Sequence, residues 1–206
     1  MINTEVVMMK KAVNQYKKFL VERYGKDKTN DILKYSFDKY KNLCEENKDE
    51  TNAVKNHTVK KIYPCISLYE GMQESGIDKK QALEFLDYST SKLAEKEAKS
   101  IQILLKIPGL YKKMPAIFKW VTVHQFGEKA GFKAEFYKTE KTRVKFDMTK
   151  CLYCDVCEKY GCPELVVCFC HTDDVKDGNM HPALCWNRTK IMGDGGDVCD
   201  FDLFVK

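Results

Sequence analysis

The chain is nearly without arginine. Arg23, Arg143 and Arg188 are the three among 35 basic residues, and the other 32 are lysines. Lysine is a solvated point charge, whereas the arginine fork suits phosphates and base edges. The net charge of +5 is also interleaved with acids, as in Glu95-Lys96-Glu97, and no stripe of basic and aromatic residues appears. Nucleic-acid binding is therefore not expected. No segment approaches the ~20 apolar residues of a membrane span. Met1-Ile2-Asn3-Thr4-Glu5 shows no basic stretch leading into an apolar run. A cytoplasmic protein with a small-molecule partner, and without a membrane partner, is the expectation; the oligomeric state is left open. Internal repeats and low-complexity segments are absent as well, which excludes a solenoid.

Cysteine is scarce over the first 150 residues, where only Cys44 and Cys65 occur, and then abundant. The last 56 residues hold Cys151, Cys154, Cys157, Cys162, Cys168, Cys170, Cys185 and Cys199. In a reducing compartment such a cluster reads as metal ligands, nucleophiles or buried small apolar groups rather than as disulfides. The chemistry of this protein is expected near its C-terminal end. The hydrophobic fraction of 44% supports an ordinary core in one large domain or two small ones.

The first half has helical periodicity. Met9, Val13, Tyr16 and Leu20 recur at helix spacing up to a stop at Gly25. A second helix, capped by Asn30 or Asp31, presents Leu33, Phe37, Tyr40 and Cys44. The polar run 45–56 reads as a loop. A third helix carries Val59, Ile62, Ile66 and Tyr69, and Pro64 marks either its start or a kink. Asp78 caps a long fourth helix that Pro108-Gly109 ends. A fifth, with Met114, Ile117, Phe118 and Val121, ends at Gly127. The period then becomes two. Phe132, Ala134 and Phe136, then Val144, Phe146 and Met148, alternate with polar residues and form a hairpin across 139–142. Residues 186–191 and 199–205 read as two further strands around a Gly-rich turn. The organisation expected is helices over 1–127 and an antiparallel sheet with the Cys-rich stretch over 128–206, sharing one core. The fold class is α+β, with that stretch as a short helix and loops lining a pocket.

Three readings of the cysteines stay open. Cys151, Cys154, Cys157 and Cys162-Pro163 resemble the bacterial ferredoxin run but with one residue too many, so zinc or an Fe–S cluster is a candidate cofactor. A reactive thiol is the second reading, and it needs a nearby charge or base and some exposure. Cys170 stands where the apolar run 165–169 meets His171-Thr172-Asp173-Asp174. Cys199 follows a glycine-rich turn whose amides can meet a substrate atom. The third reading is packing, expected above all for Cys154, Cys157, Cys162, Cys168 and Cys185. His57, beside a charged loop, is expected at the surface.

Taken in order, several motifs carry a resemblance. They are Cys151-x-Tyr153, Gly161-Cys162-Pro163-Glu164-Leu165, Phe169-Cys170-x-x-Asp173, His181-Pro182-x-Leu184, Arg188-Thr189, and Gly193-Asp194-Gly195-Gly196-Asp197-Val198-Cys199-Asp200-Phe201. As a set over about residues 116–206, they resemble the bacterial L-2-amino-thiazoline-4-carboxylic acid hydrolase family. The resemblance implies a hydrolase that opens a small cyclic amidine carboxylate to an N-carbamoyl amino acid. It implies Cys151, Cys170 and Cys199 as candidate nucleophiles or ligands, Asp173 and Asp197 as proton-handling groups, and Arg188 as the cation for the substrate carboxylate. The three cysteines are expected to converge. The competing reading is a non-catalytic Cys-rich module that binds a metal, a cluster or a small ligand.

Overall fold

The computed structural model describes the backbone of residues 2–206 and the side chains of residue 11 and residues 13–206. Met9, expected on the first helical face, lies outside the described side chains. The described chain is 66% helical with one small four-stranded antiparallel sheet, an α+β protein. It divides into two compact units, residues 1–89 with 156–165, and residues 90–155 with 166–206.

The first unit is helical. α1 (Ile2–Glu46) is interrupted at Gly25, whose φ of 76° no helix contains. Val13, Tyr16 and Leu20 before the break, and Ile32, Leu33, Tyr40 and Leu43 after it, are buried at helical spacing. These faces pack against α3 (Tyr63–Glu74). The two helices touch at Gly71, where a Cβ would fall 2.4 Å from Ser36 Oγ. The expected loop 45–56 is a turn only as far as its middle. Thr51 accepts a hydrogen bond from Val54 N–H and starts α2 (Asn52–His57), so a cap hidden in a polar run converts its second half to helix. A π-helical turn, Thr58–Ile62, then runs into α3, with Pro64 in its first turn, where the missing N–H costs nothing. His57 is buried, contrary to expectation, because α2 carries it inward instead of leaving it on a loop. α4 (Lys79–Leu104) begins where Asp78 accepts from Lys80 and Gln81 N–H, both at 3.0 Å.

The second unit holds the sheet, in the order β1-β2-β4-β3, with β1 (Lys133–Phe136), β2 (Arg143–Lys150), β3 (Leu184–Asn187) and β4 (Cys199–Val205). The register pairs Met148 with Cys199, Phe146 with Phe201 and Val144 with Leu203. Because side chains alternate along a strand, all six share one buried face. α5 (Met114–Gln125) packs on β2 through Phe118 and Phe146, ring centres 6.2 Å apart. The strand expected over 186–191 stops at Asn187. Beyond it the N–H groups of Thr189 and Lys190 donate to the Asp200 carboxylate, at 2.7 and 2.6 Å, instead of to a strand neighbour. The Cys-rich stretch is more helical than expected: α6 (Leu152–Lys159) and α7 (Val166–Asp177) occupy most of it.

Candidate functional site

Cys151 stands between the end of β2 and the start of α6. Its carbonyl accepts from Asp155 N–H, and its sulfur accepts from the N–H groups of Tyr153 and Cys154. The thiol thus occupies the N-cap position, where orphan amides favour an electron-rich atom. The hydrogen bond with the Cys154 thiol, then burial, nonetheless holds the Cys151 proton on well above the usual thiol range.

Cys170 lies on α7. One helical turn on come Asp173 and Asp174, and a second turn on comes Asp177, so the spacing i, i+3, i+4, i+7 gathers one thiol and three carboxylates on one face. Gly193, in the turn before β4, passes directly over the thiol. A Cβ there would sit 3.0 Å from Cys170 Sγ and 3.1 Å from Val166 Cγ1, a tight fit in which those side chains would have to give by a few tenths of an ångström. Cys199 enters from β4 on the buried face, and Met192 N–H donates to its sulfur at 3.2 Å.

Arg188, just past β3, ties the elements together. Its side chain is only 1% exposed. Nη2 donates to the Cys170 carbonyl at 2.8 Å and to Asp174 Oδ2 at 2.5 Å, and Nη1 reaches Asp173 Oδ2 at 3.5 Å. The guanidinium also stacks over Phe201, 5.4 Å from the ring centre, and its Nε is buried without a hydrogen-bond partner. Trp186 Nε1 donates to the other oxygen of Asp174 at 3.0 Å.

Burial pushes the Cys170 thiol up to about 12; Cys199, Asp173 and Cys151 push the same way, and Arg188 opposes them. Burial pushes Cys199 up to about 11 with Cys151 and Asp173 adding, against the Met192 amide and Arg188. One turn thus touches both sulfurs, Gly193 over Cys170 and Met192 N–H on Cys199, while Arg188 joins Asp173 to the Cys170 carbonyl; Cys151 is linked to them only through charge. Asp197 does not join them. It is 74% exposed and pairs with Lys190 Nζ at 3.1 Å on the turn.

Asp177 was missed by sequence reasoning. It is buried beside Lys176, 3.5 Å away, and burial raises its carboxyl to about 7, against the lowering pull of Lys176 and with Asp173 adding to the rise. Asp174, next to Asp173 in the sequence, takes up the bond to Arg188 Nη2. Both stand on the helical face of Cys170, a signal available in the sequence only to a helical reading of 166–177. The other cysteines are thiols too: Cys157, Cys162 and Cys168 are buried, Cys154 and Cys185 half-buried. Among the described residues, no three His, Cys, Asp or Glu side chains are grouped to hold a metal ion. A surface hollow lined by Phe19, Glu22, Arg23, Phe85 and Tyr88 belongs to the first unit and contains none of these thiols.

The L-2-amino-thiazoline-4-carboxylic acid hydrolase family model matches residues 55–203, which span both units and every residue of the thiol cluster. The chain belongs to that family. No curated protein matches it. Among solved structures it is similar to the H-NOX domain from Shewanella oneidensis, determined by NMR in the Fe(II)CO ligation state. The two share 11% identity over 95% of this chain and 97% of that one, at a TM-score of 0.36, a likeness too faint to carry a functional argument. Within the hydrolase family, the family-like motifs of this chain are the ones that supply the thiol cluster. Among the described residues, no helix is long and apolar enough to cross a membrane.

Proposed function

We propose that this family member hydrolyses a small cyclic amidine carboxylate of the L-2-aminothiazoline-4-carboxylate type, opening the ring to an N-carbamoyl amino acid. The observation that carries the reading is that one turn touches the Cys170 and Cys199 sulfurs while Arg188 joins Asp173 to the Cys170 carbonyl. The thiols are protonated at neutral pH, so no standing thiolate is available. The proton must leave as the bond forms, which assigns Asp173 the role of base. Cys170 Sγ attacks the amidine carbon, its proton passes to Asp173, the ring C–S bond breaks, and Asp173 returns the proton to the departing sulfur. Water then adds to the same carbon and gives one proton to Asp173. The Cys170–carbon bond breaks, the second water proton passes to the former ring nitrogen as the urea carbonyl forms, and Asp173 returns its proton to Cys170. The sum is one water consumed and one C–S bond opened. Cys199 and Cys151 line the same space as neutral thiols.

Arg188 serves this reading as a positioning residue more than as a carboxylate clamp. Three of its five N–H groups already serve Asp173, Asp174 and the Cys170 carbonyl, and the buried Nε has no protein partner. Purified protein with the thiazoline substrate and a colorimetric thiol assay tests the proposal. Activity lost in Cys170→Ala and in Asp173→Asn, with Asp197→Asn near wild type, is expected. Full activity in Cys170→Ala would end the assignment of the nucleophile. The absence of thiol release by wild type, with coloured or metal-containing protein found instead by elemental analysis, would favour the cofactor-binding alternative.

A further inference from the structure

The face of α5 turned away from the sheet is apolar. Phe118 points inward, against Phe146 and against Trp186 at 5.5 Å, and Thr122 is buried beside it. Around the helix, Ile117, Trp120 and Val123 are 40, 57 and 50% exposed. Upstream, the end of α4 and the turn after it expose Ile103, Leu104 and Ile107. All six belong to the second unit. Single exposed apolar side chains are ordinary, but three along one face of α5, one of them tryptophan, with three more exposed upstream at 103–107, are more than solvent exposure requires.

The charge around these residues is one-sided. From residue 98 to residue 127 there is no Asp or Glu, whereas the chain's average acid content gives about four in such a stretch. Lys99, Lys106, Lys112, Lys113 and Lys119 all fall inside it. Lys106, Lys112, Lys113 and Lys119 are exposed. A second copy of the chain is a poor occupant, since an isologous contact presses this lysine set against itself. A surface both negatively charged and apolar beneath fits both features. Lysines meet anionic headgroups, apolar side chains enter the acyl boundary, and tryptophan favours that depth. At 12 residues α5 is too short to span a bilayer, so it lies in the plane. We infer that this face of the second unit docks on an anionic phospholipid bilayer. The inference departs from the sequence expectation of no membrane partner and is independent of the proposed hydrolysis.

Co-sedimentation of the full chain with vesicles tests it, using equimolar phosphatidylglycerol and phosphatidylcholine against phosphatidylcholine alone. Binding to the anionic vesicles only, weakened by salt and accompanied by a blue shift of Trp120 fluorescence, is expected. Ile117→Ser/Trp120→Ser/Val123→Ser should weaken binding at least roughly tenfold, because buried apolar area supplies much of interfacial affinity. Lys112→Gln/Lys113→Gln, both at exposed positions where folding is not at stake, should weaken it by roughly fivefold per lysine. Circular dichroism checks that each variant is folded. No sedimentation of wild type with anionic vesicles would overturn the inference, as would equal binding to neutral ones. Unchanged binding by the lysine variant, or a wild-type dimer that the Ser variant dissolves, would overturn it too.

Discussion

The proton on Cys170 should make the protein sensitive to alkali in a way a single substitution can reveal. An unfolded thiol titrates near its ordinary value of 9.0, while burial holds Cys170 to about 12 in the folded state. The folded state therefore prefers the protonated form. This preference stabilises the fold fully below pH 9 and is lost as pH rises from 9 toward 12. Each pH unit climbed inside that window removes about 1.4 kcal/mol, so moving from pH 7 to pH 10 should cost wild type about 1.4 kcal/mol through Cys170. Urea unfolding of wild type and Cys170→Ala at both pH values isolates this contribution, because lysines and tyrosines titrate in both proteins. The loss between pH 7 and pH 10 should be smaller in Cys170→Ala by that amount. Equal losses, or a larger one in the variant, would refute the burial argument. The same shift leaves a Cys170 thiolate fraction on the order of one in ten thousand at pH 8, so iodoacetamide should modify half-exposed thiols first.

Asp177 gives the same sign at lower pH. With burial raising it to about 7, its charge opposes folding above that pH, so Asp177→Asn should raise the melting temperature at pH 8 and leave it nearly unchanged at pH 4. Removing the guanidinium with Arg188→Ala deletes its hydrogen bonds to the part-exposed Asp173 and Asp174 and to the Cys170 carbonyl; thermal unfolding should show a loss of about 1–3 kcal/mol, with Arg188→Lys intermediate. Gly193→Ala drives a methyl into Cys170 Sγ and should cost about 1–3 kcal/mol by urea unfolding; a stability equal to wild type would show that the turn is not pressed on the thiol.

Much of the fold follows from local rules that a sequence displays openly. Asp78 caps α4 and Pro108-Gly109 lies just past its end, Gly25 interrupts α1, and the change of period after Phe132 marks the first hairpin. Errors arose where a local signal was weak or misread. Thr51 as a cap was hidden among charges, and with it the burial of His57. In 166–177 a helix makes the partners of Cys170 the residues three, four and seven positions on, and it is this period that adds Asp177 to Asp173 and Asp174. The family motifs brought Cys151, Cys170, Cys199, Asp173 and Arg188 into view, and by themselves they determined which residues to watch. Only tertiary structure decided that one turn touches the Cys170 and Cys199 sulfurs while Asp197 stays exposed on it, and that Arg188 turns to Asp173, Asp174 and the Cys170 carbonyl. Tertiary structure likewise returns residues 156–165 to the first unit. The physical reason is that convergence depends on the register of β2 with β4 and on the path of the turn over α7, both set by long-range burial. So does the thiols' protonation, which follows from the water each sulfur loses when the chain closes around it.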